Sequence, residues 1–588
     1  MPTIVEQLIS RASQLSQMGQ LDESLKKAFE AIDHDPRNTT ALFLAANTAY
    51  KLGDAAKAVE LVKRVVEIEP ENADAWYNLG MFHNALNDPK ASMEAHKQAL
   101  THNPEHVDAL VNFGGILGRS GYFETAFRAL KLATRLDPTS VVAANTFANV
   151  LKEAGLNNDA LKAYERTINL NPNLHGAYSN VCYLQQFNAA HGLRDLHEIH
   201  QEWGKRFCDP CTYAWPAHQN EKDPDRPLRV GFISEDFRHH TVGHYLIDVF
   251  EHLPPDIEPY CYSLSTQADD VTDRFRARAH VYADVATATD DELFDRIMAD
   301  QIDVLFDLSG HTSGNRLRML CRKPAPVQLS WLGYVGTLGI KAIDYVIASH
   351  ASVPEGSEYY FTEGVLRFPA PYPHQCYSPG CFGEVEIGPV PSEENGYVTY
   401  GSFSNISKLN PEVIVTWSKI LMRDETSRLL LKSSAFKSEF TCKRIRDTFE
   451  VFGVGGERIL LEPFTPPPAA FETYNKIDVV LDPWPFSGCT TTCEALWMGV
   501  PIVTKPGASE ASRHTTSFLV GAGLIDSITS SVGEYVSTAV RLGADTKRRT
   551  HLRQQLRPLL LSSPVCDAEK YGHMLSDLIR QAWKEWCG

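Results

Sequence analysis

Small side chains recur along the first third of the chain with a fixed period. Ala12, Ala46, Gly80, Gly114 and Ala148 are 34 residues apart, and so are Ser24, Ala58, Ser92, Ala126 and Ala160. Pro36, Pro70, Pro104, Pro138 and Pro172 keep the same step. Gly19, Gly53, Gly121 and Gly155 keep it too, with Asn87 in the slot between them. A small residue suits a point where two helices cross closely. A Gly or Asn allows the left-handed turn that ends a helix, and a proline closes one unit and starts the next. The pattern predicts five antiparallel helix pairs from about residue 5 to 172, capped by a further helix from His175 to about Gln186.

The period stops near residue 186. A transition segment covers 187–227, and short continuous apolar runs then alternate with helical stretches. LRVGFIS (228–234), EPYCYSL (258–264), IDVLFDLSG (302–310), VQLSWLGY (327–334) and IDYVIAS (343–349) form one set. YVTYGSF (397–403), RLLLKSS (428–434), RILLEP (458–463), IDVVLDP (477–483) and PIVTK (501–505) form another. Strands that are apolar throughout belong to parallel sheets covered on both faces. A loop rich in Pro, Gly and Cys (369–396) divides the sets, so two Rossmann-like lobes are expected, at 228–378 and 396–588. The fold class is therefore an all-α superhelix at 1–186, then an α/β region. Ligands in such sheets sit beyond the carboxyl ends of the strands, which puts the site in the cleft between the lobes.

The 34-residue unit matches the tetratricopeptide (TPR) pattern, and Trp76-Tyr-Asn-Leu-Gly80 is its fullest copy. Such a solenoid uses its concave surface to bind peptides or proteins. Asn78, Asn112 and Asn180 share one slot on that face, with Thr146 between them. Their amides suit a grip on an extended acceptor backbone, and they equally suit a plain wet lining.

Composition narrows the function classes. Apolar residues make up 43% of the 588 and charged residues 22%, so the chain folds, and its length implies several domains. A net charge of −17 argues against nucleic acid or an anionic membrane surface as the partner. No run approaches the roughly 20 apolar residues of a bilayer span. MPTIVEQLISRASQ lacks a secretory pattern, and the twelve cysteines are sparse, so reduced thiols and a cytoplasmic location are expected. Cys208-Asp-Pro-Cys211 has no second pair to complete a zinc site, so no metal is expected. Asp223-Pro-Asp225 precedes the first strand and reads as a turn.

The residues after the strands carry the candidate chemistry. Ser234 to His244 offers a carboxylate, Asp236, and imidazoles at His239, His240 and His244. Ser404-Asn-Ile-Ser-Lys408 follows YVTYGSF. Gly488, Cys489 and Thr490–Thr492 open a helix after IDVVLDP, and small hydroxyl residues at a helix N-terminus make an anion site. That arrangement suits a diphosphate with Lys408 neutralising its charge, although threonines there also serve as simple caps. No GxGxxG or Walker loop accompanies them. A diphosphate held without either fits a nucleotide-sugar transferase of the two-lobe type.

RVGFISEDFRHH, GHTSGNRL, PAPVQLSWLGYVGT, YGSFSNISKLNP, LDPWPFSGCTTTCEALWMGVP, ASR (511–513) and SSPVC (562–566) resemble the protein O-glycosyltransferases of glycosyltransferase family 41. That family includes the O-GlcNAc transferases and the SPINDLY proteins. GHT, YGSF, TTTCEAL, SSPVC and HEIHQEWGKRF look more like the SPINDLY branch and its bacterial relatives. The resemblance covers nearly the whole chain and implies a TPR superhelix joined to a GT-B catalytic region. It implies an inverting reaction without a metal cofactor, on Ser or Thr hydroxyls of polypeptides brought by the array. It puts Lys408 on the donor diphosphate with Asn405 nearby, Thr490 and Thr491 at the phosphates, and Glu494 near the ribose. It puts His240 at the active-site histidine beside Asp236, and Gly333 where the backbone approaches the sugar. His240, Asp236 and water stay open as the base, and His311 reads as a packing or supporting residue. The resemblance also allows a homodimer. UDP-GlcNAc is the family's commonest donor, and the plant SPINDLY branch uses GDP-fucose. This chain departs at the base-contacting loop, with Pro467 and Ala470 beside Phe471, and has Cys489 and Val242 where the animal-type enzymes have His and Thr. His191 and His200 receive no role. A transferase body that has lost activity, with the repeats as scaffold, is the rival from another class.

Overall fold

The structure is a computed structural model that describes residues 2–382 and 385–588, so residues 383 and 384 of the loop between the lobes lie outside the described residues. It divides into two compact units, Met1–Pro172 and Asn173–Gly588. The capping helix His175–Gln185 is thus grouped with the second unit.

Among the described residues the first unit has ten helices, from Ile4–Gln17 to Asn157–Leu170. Its periodic residues have separate physical tasks. Gly19, Gly53, Asn87, Gly121 and Gly155 all adopt positive φ, so Asn87 takes over the left-handed turn where glycine is missing. Asn38, Asn72, His106 and Ser140, each two places after a proline, cap the following helix by accepting a backbone N–H. Ala12, Ala46 and Ala148 are fully buried. A Cβ on Gly80 would lie 2.6 Å from the His96 ring, and one on Gly114 would lie 2.6 Å from Leu130 Cγ. The second small register adds a bond across each crossing where it is serine: Ser24 Oγ donates to the Ala12 carbonyl and Ser92 Oγ to that of Gly80, both at 2.7 Å.

The second unit holds two sheets. One has β1 (Leu228–Ser234), β2 (Ile257–Ser263), β3 (Val281–Asp284), β4 (Val304–Asp307), β5 (Val327–Ser330), β6 (Tyr345–Ser349) and β7 (Gly364–Phe368) in the order β3-β2-β1-β4-β5-β6-β7. The other has β8 (Thr399–Ser402), β9 (Arg428–Lys432), β10 (Ile459–Glu462), β11 (Val479–Leu481) and β12 (Ile502–Val503) in the order β10-β9-β8-β11-β12. All pairings are parallel. Both sheets start at a central strand, run outward one way and then reverse. This is the Rossmann order, with its crevice at the reversal, and two such lobes form a GT-B body.

Two strands were not anticipated, β3 and β7. Each lies at a sheet edge, and each is only partly buried, so neither forms a continuous apolar run.

The helix Ala568–Cys587 leaves the second lobe and packs on the first. Trp583 is fully buried and donates to the Asp223 carbonyl, and Arg580 bonds Asp256 at 2.7 Å. A Cβ on Gly572 would sit 2.5 Å from the His252 carbonyl oxygen. Asp225 N–H donates to Asp223 Oδ1, so the D-x-D forms a local turn. Among the described residues, no helix is long and apolar enough to cross a membrane.

Candidate active site

The loop after β1 turns back into a helix, Thr241–Glu251, and His240 caps it. Its Nδ1 lies 3.3 Å from the Val242 amide, which donates to it, and 3.2 Å from Asp236 Oδ2. The two contacts exclude each other: accepting the Val242 amide puts the ring proton on Nε2, and only the tautomer with its proton on Nδ1, facing Asp236 and giving up the amide, leaves Nε2 basic. Burial, helped by Arg238, holds His240 below its ordinary value, so the ring is neutral at pH 7. Burial raises Asp236, which Arg238 partly offsets. The neighbouring imidazoles point elsewhere: His239 bonds His244 at 3.0 Å and Asp270 at 2.7 Å.

On the other lobe, Asn405 caps the short turn Ile406–Lys408 by accepting the Ser407 amide. Lys408 Nζ donates to the Ser487 carbonyl at 2.6 Å and lies 4.4 Å from the Phe486 ring centre. Burial lowers this lysine to about 8, although Asp482 pulls the other way. Asp482, which the sequence reading missed, ends β11 and builds the turn. Its carboxylate accepts Gly488 N–H and Thr504 Oγ1–H, both at 2.6 Å, and burial pushes it up to about 6. Gly488 must be glycine, because a Cβ would meet Thr492 Oγ1 at 2.6 Å.

Cys489 then opens the helix Thr490–Trp497. Thr490 and Thr491 are half-buried on its first turn, whereas Thr492 is buried and bonds Thr515 at 2.8 Å. Glu494, one turn on, accepts from Tyr474 OH at 2.9 Å, and burial pushes it up to about 7. Phe471 packs against Tyr474, so it supports the Glu494 side, while Pro467 is exposed.

Two unanticipated residues join the halves. Gln375 accepts from Cys489 Sγ at 3.0 Å and donates to the Leu332 carbonyl at 3.4 Å. Tyr245, in the helix that His240 caps, lies 3.7 Å from Cys489 Sγ. Five residues of helix separate His240 from Tyr245, about 7–8 Å along the axis. Gly333 sits in the same wall. A Cβ there would lie 1.9 Å from the Leu308 carbonyl oxygen, and Leu332 before it has φ 65°. A non-glycine residue in that region is strained, which is common at functional sites. Glu510, also missed, crosses the cleft to accept the Gly336 amide at 2.6 Å. Gln375, Tyr245 and Glu510 are isolated polar residues whose partners are distant in sequence, so neither spacing nor composition marked them.

The remaining candidates fall outside this cluster. His311 bonds Ser179 and the Leu338 carbonyl, and His200 bonds Tyr334 OH and the Leu196 carbonyl, so both are packing residues. His191 lies 3.8 Å from Asp195. Asn78 and Asn112 are in the first unit and Asn180 in the second. Asn78 and Asn180 each donate to a carbonyl one turn back in their own helix. Cys208 and Cys211 belong to no metal-competent cluster among the described residues, and the eleven described cysteines are free thiols.

The arrangement offers a cation and a helix N-terminus for a diphosphate, a carboxylate nearby for hydroxyls, and a neutral imidazole on the facing lobe. Comparison with known proteins bears on the family. The model of glycosyl transferase family 41 matches residues 206–372 and 392–575, and that of the middle TPR-like domain of cilia and flagella-associated protein 70 matches 18–170. The SPINDLY protein of Solanum lycopersicum, a probable UDP-N-acetylglucosamine–peptide N-acetylglucosaminyltransferase, is 33% identical over 403 residues, 67% of this chain and 42% of its own length. Its Arabidopsis thaliana counterpart is 34% identical over 412 residues, 67% of this chain and 44% of its own length. The chain thus spans less than half the length of these curated relatives. A solved mutant of the Thermobaculum terrenum O-GlcNAc transferase superposes with a TM-score of 0.81 at 34% identity, covering 88% of this chain and 98% of that one. With more than half of its residues matched by the family model, the chain belongs to glycosyl transferase family 41.

Proposed function

We propose that this chain is a protein O-glycosyltransferase that moves a sugar, GlcNAc from UDP-GlcNAc, onto Ser or Thr hydroxyls of polypeptides held by the TPR array. The observation that carries the reading is the desolvated Lys408 fixed beside the N-terminus of the Thr490–Trp497 helix. A preorganised cation and helix dipole stabilise charge that develops on a leaving diphosphate. Thr490 and Thr491 hold the phosphates, and Glu494 takes the ribose hydroxyls.

The acceptor oxygen attacks the anomeric carbon from the face opposite the diphosphate, so the configuration inverts. The new C–O bond forms as the sugar–phosphate bond breaks, and the nucleoside diphosphate leaves with the electron pair. The hydroxyl proton passes to His240 Nε2, directly or through water, in the tautomer whose Nδ1–H is held by Asp236 in place of the Val242 amide. Lys408 acts by charge on the diphosphate. The chain's own residues supply these roles, and the proposal invokes no metal in the transfer.

The apolar, exposed loop around Pro467 favours a second reading, in which the base and sugar differ and the donor is GDP-fucose. One experiment decides. Purified protein is incubated with UDP-GlcNAc, UDP-GalNAc, UDP-glucose, GDP-fucose or GDP-mannose, and thermal stabilisation and slow donor hydrolysis are read. A response to UDP-GlcNAc alone supports the first reading, and one to GDP-fucose alone supports the second. Silence across the panel sinks both and leaves the scaffold or a donor outside the panel.

A further inference from the structure

Beside the donor cradle lies a side-chain cluster that glycosyl transfer does not explain. His374 and His514 are 3% and 2% exposed, and their ring centres are 4.4 Å apart. Among the described residues, none of their four ring nitrogens has a hydrogen-bond partner. A buried polar atom left unpaired costs about 1–3 kcal/mol, so four in one place are a feature the fold retains against its own stability. Cys489 completes the group. Its Sγ and one nitrogen from each imidazole all lie within 4.8 Å of one another.

A second trio makes the contrast. Cys182, His200 and His311 meet the same 4.8 Å limit and are all buried, whereas Cys489 is only partly so. There, however, each imidazole spends both nitrogens on protein partners. That trio is a hydrogen-bonded core. Only the one in the cleft presents lone pairs with nothing to accept.

We propose that His374, His514 and Cys489 bind a transition-metal ion of the zinc class through two imidazole nitrogens and a thiolate. Two nitrogens and one sulfur are a borderline-soft donor set, suited to Zn2+ and not to Mg2+ or Ca2+. Three protein ligands leave a fourth position for water or an anion. Tetrahedral ligation brings the donor atoms to roughly 3.3–3.6 Å apart, so the side chains close inward by about an ångström. Cys489 gives up its bond to Gln375 in doing so. The S–H bond breaks, the proton leaves to solvent and the sulfur bonds the ion, with no change of oxidation state. Burial pushes the free Cys489 thiol up to about 11, with Tyr245 and Lys408 only partly offsetting it, so the ion must displace the proton.

The test uses the full chain, stripped with a chelator and titrated first with Co2+ and then with Zn2+. One equivalent of Co2+ is expected to give a thiolate-to-metal charge-transfer band, which Zn2+ removes, with about one proton released per ion bound. Cys489→Ser, nearly isosteric, should abolish the band and weaken Zn2+ at least about 100-fold. His514→Gln should weaken Zn2+ as well. Cys182→Ser should change neither, because its trio is already satisfied. No band at one equivalent, or a band that survives Cys489→Ser, overturns the proposal. Should His514→Gln fail to fold, the Cys489→Ser and Cys182→Ser pair still decides.

Discussion

Replacing Lys408 by Met separates catalytic use of this lysine from structural use. The side chain keeps its length and loses its charge. Burial brings Lys408 from an ordinary 10.5 to about 8. At about 1.4 kcal/mol per pH unit, holding that charge costs the fold roughly 3 kcal/mol at neutral pH. The sign follows from proton counting. Between about pH 8 and 10.5 the unfolded chain binds the proton and the folded chain does not, so stability rises with pH in that window. Below pH 8 the folded protein bears the full cost. Methionine removes that cost and also the bond to the buried Ser487 carbonyl, worth about 1–3 kcal/mol, so the two nearly offset and the variant should melt close to the wild-type temperature. Activity should fall. Loss of one preorganised group facing developing negative charge costs about 10²–10³ in rate. The assay is kcat/KM for transfer to a protein acceptor, read beside a thermal melt. Wild-type kcat/KM should also fall above about pH 8, as the free enzyme's lysine loses its proton, and Lys408→Met should lack that limb. A variant within tenfold of wild type, or one that is inactive because it melts early, refutes the reasoning.

The other predictions test separate links. Arg238→Gln removes a charge that lowers His240, so the acid limb of kcat/KM should move to higher pH; an unmoved limb means that His240 is not the base. Gly333→Ala places a methyl 1.9 Å from a backbone carbonyl; the wall must shift, and about 10²-fold in kcat/KM should go with it, while far-UV circular dichroism stays near wild type. Ser92→Ala removes a buried hydroxyl from the Gly80 carbonyl and should lower the stability of the helical array by about 1–2 kcal/mol without altering donor hydrolysis, as denaturant melts would show.

What the sequence disclosed depended on repetition and on runs. The array was legible because one physical demand recurs every 34 residues, and the recurrence exposed Asn87 as a stand-in for glycine. The other ten strands were legible because apolar continuity is a local signal. β3 and β7 escaped because these two edge strands carry no continuous apolar run, whereas the edge strands β10 and β12 keep one in ILL and PIV. At the site, Lys408, His240 and the threonines stood at strand ends, where chain order alone predicts function. Asp482 and Gln375 act through partners 6 to 114 residues away, and nothing in their neighbours advertises that. His374 and His514 were opaque for the same reason: their contact spans 140 residues, and an unpaired nitrogen is visible only in three dimensions.

The return of the Ala568–Cys587 helix to the first lobe has a consequence for biosynthesis. The surface it covers is complete once β7 is made, yet the covering helix is translated about 200 residues later. At 5–20 residues per second, that is a wait of roughly 10–40 s. Through that interval the first sheet carries an apolar face with no partner, so the lobes cannot mature one after the other. A nascent chain halted between the lobes should be a chaperone client, and release should depend on the arrival of Trp583.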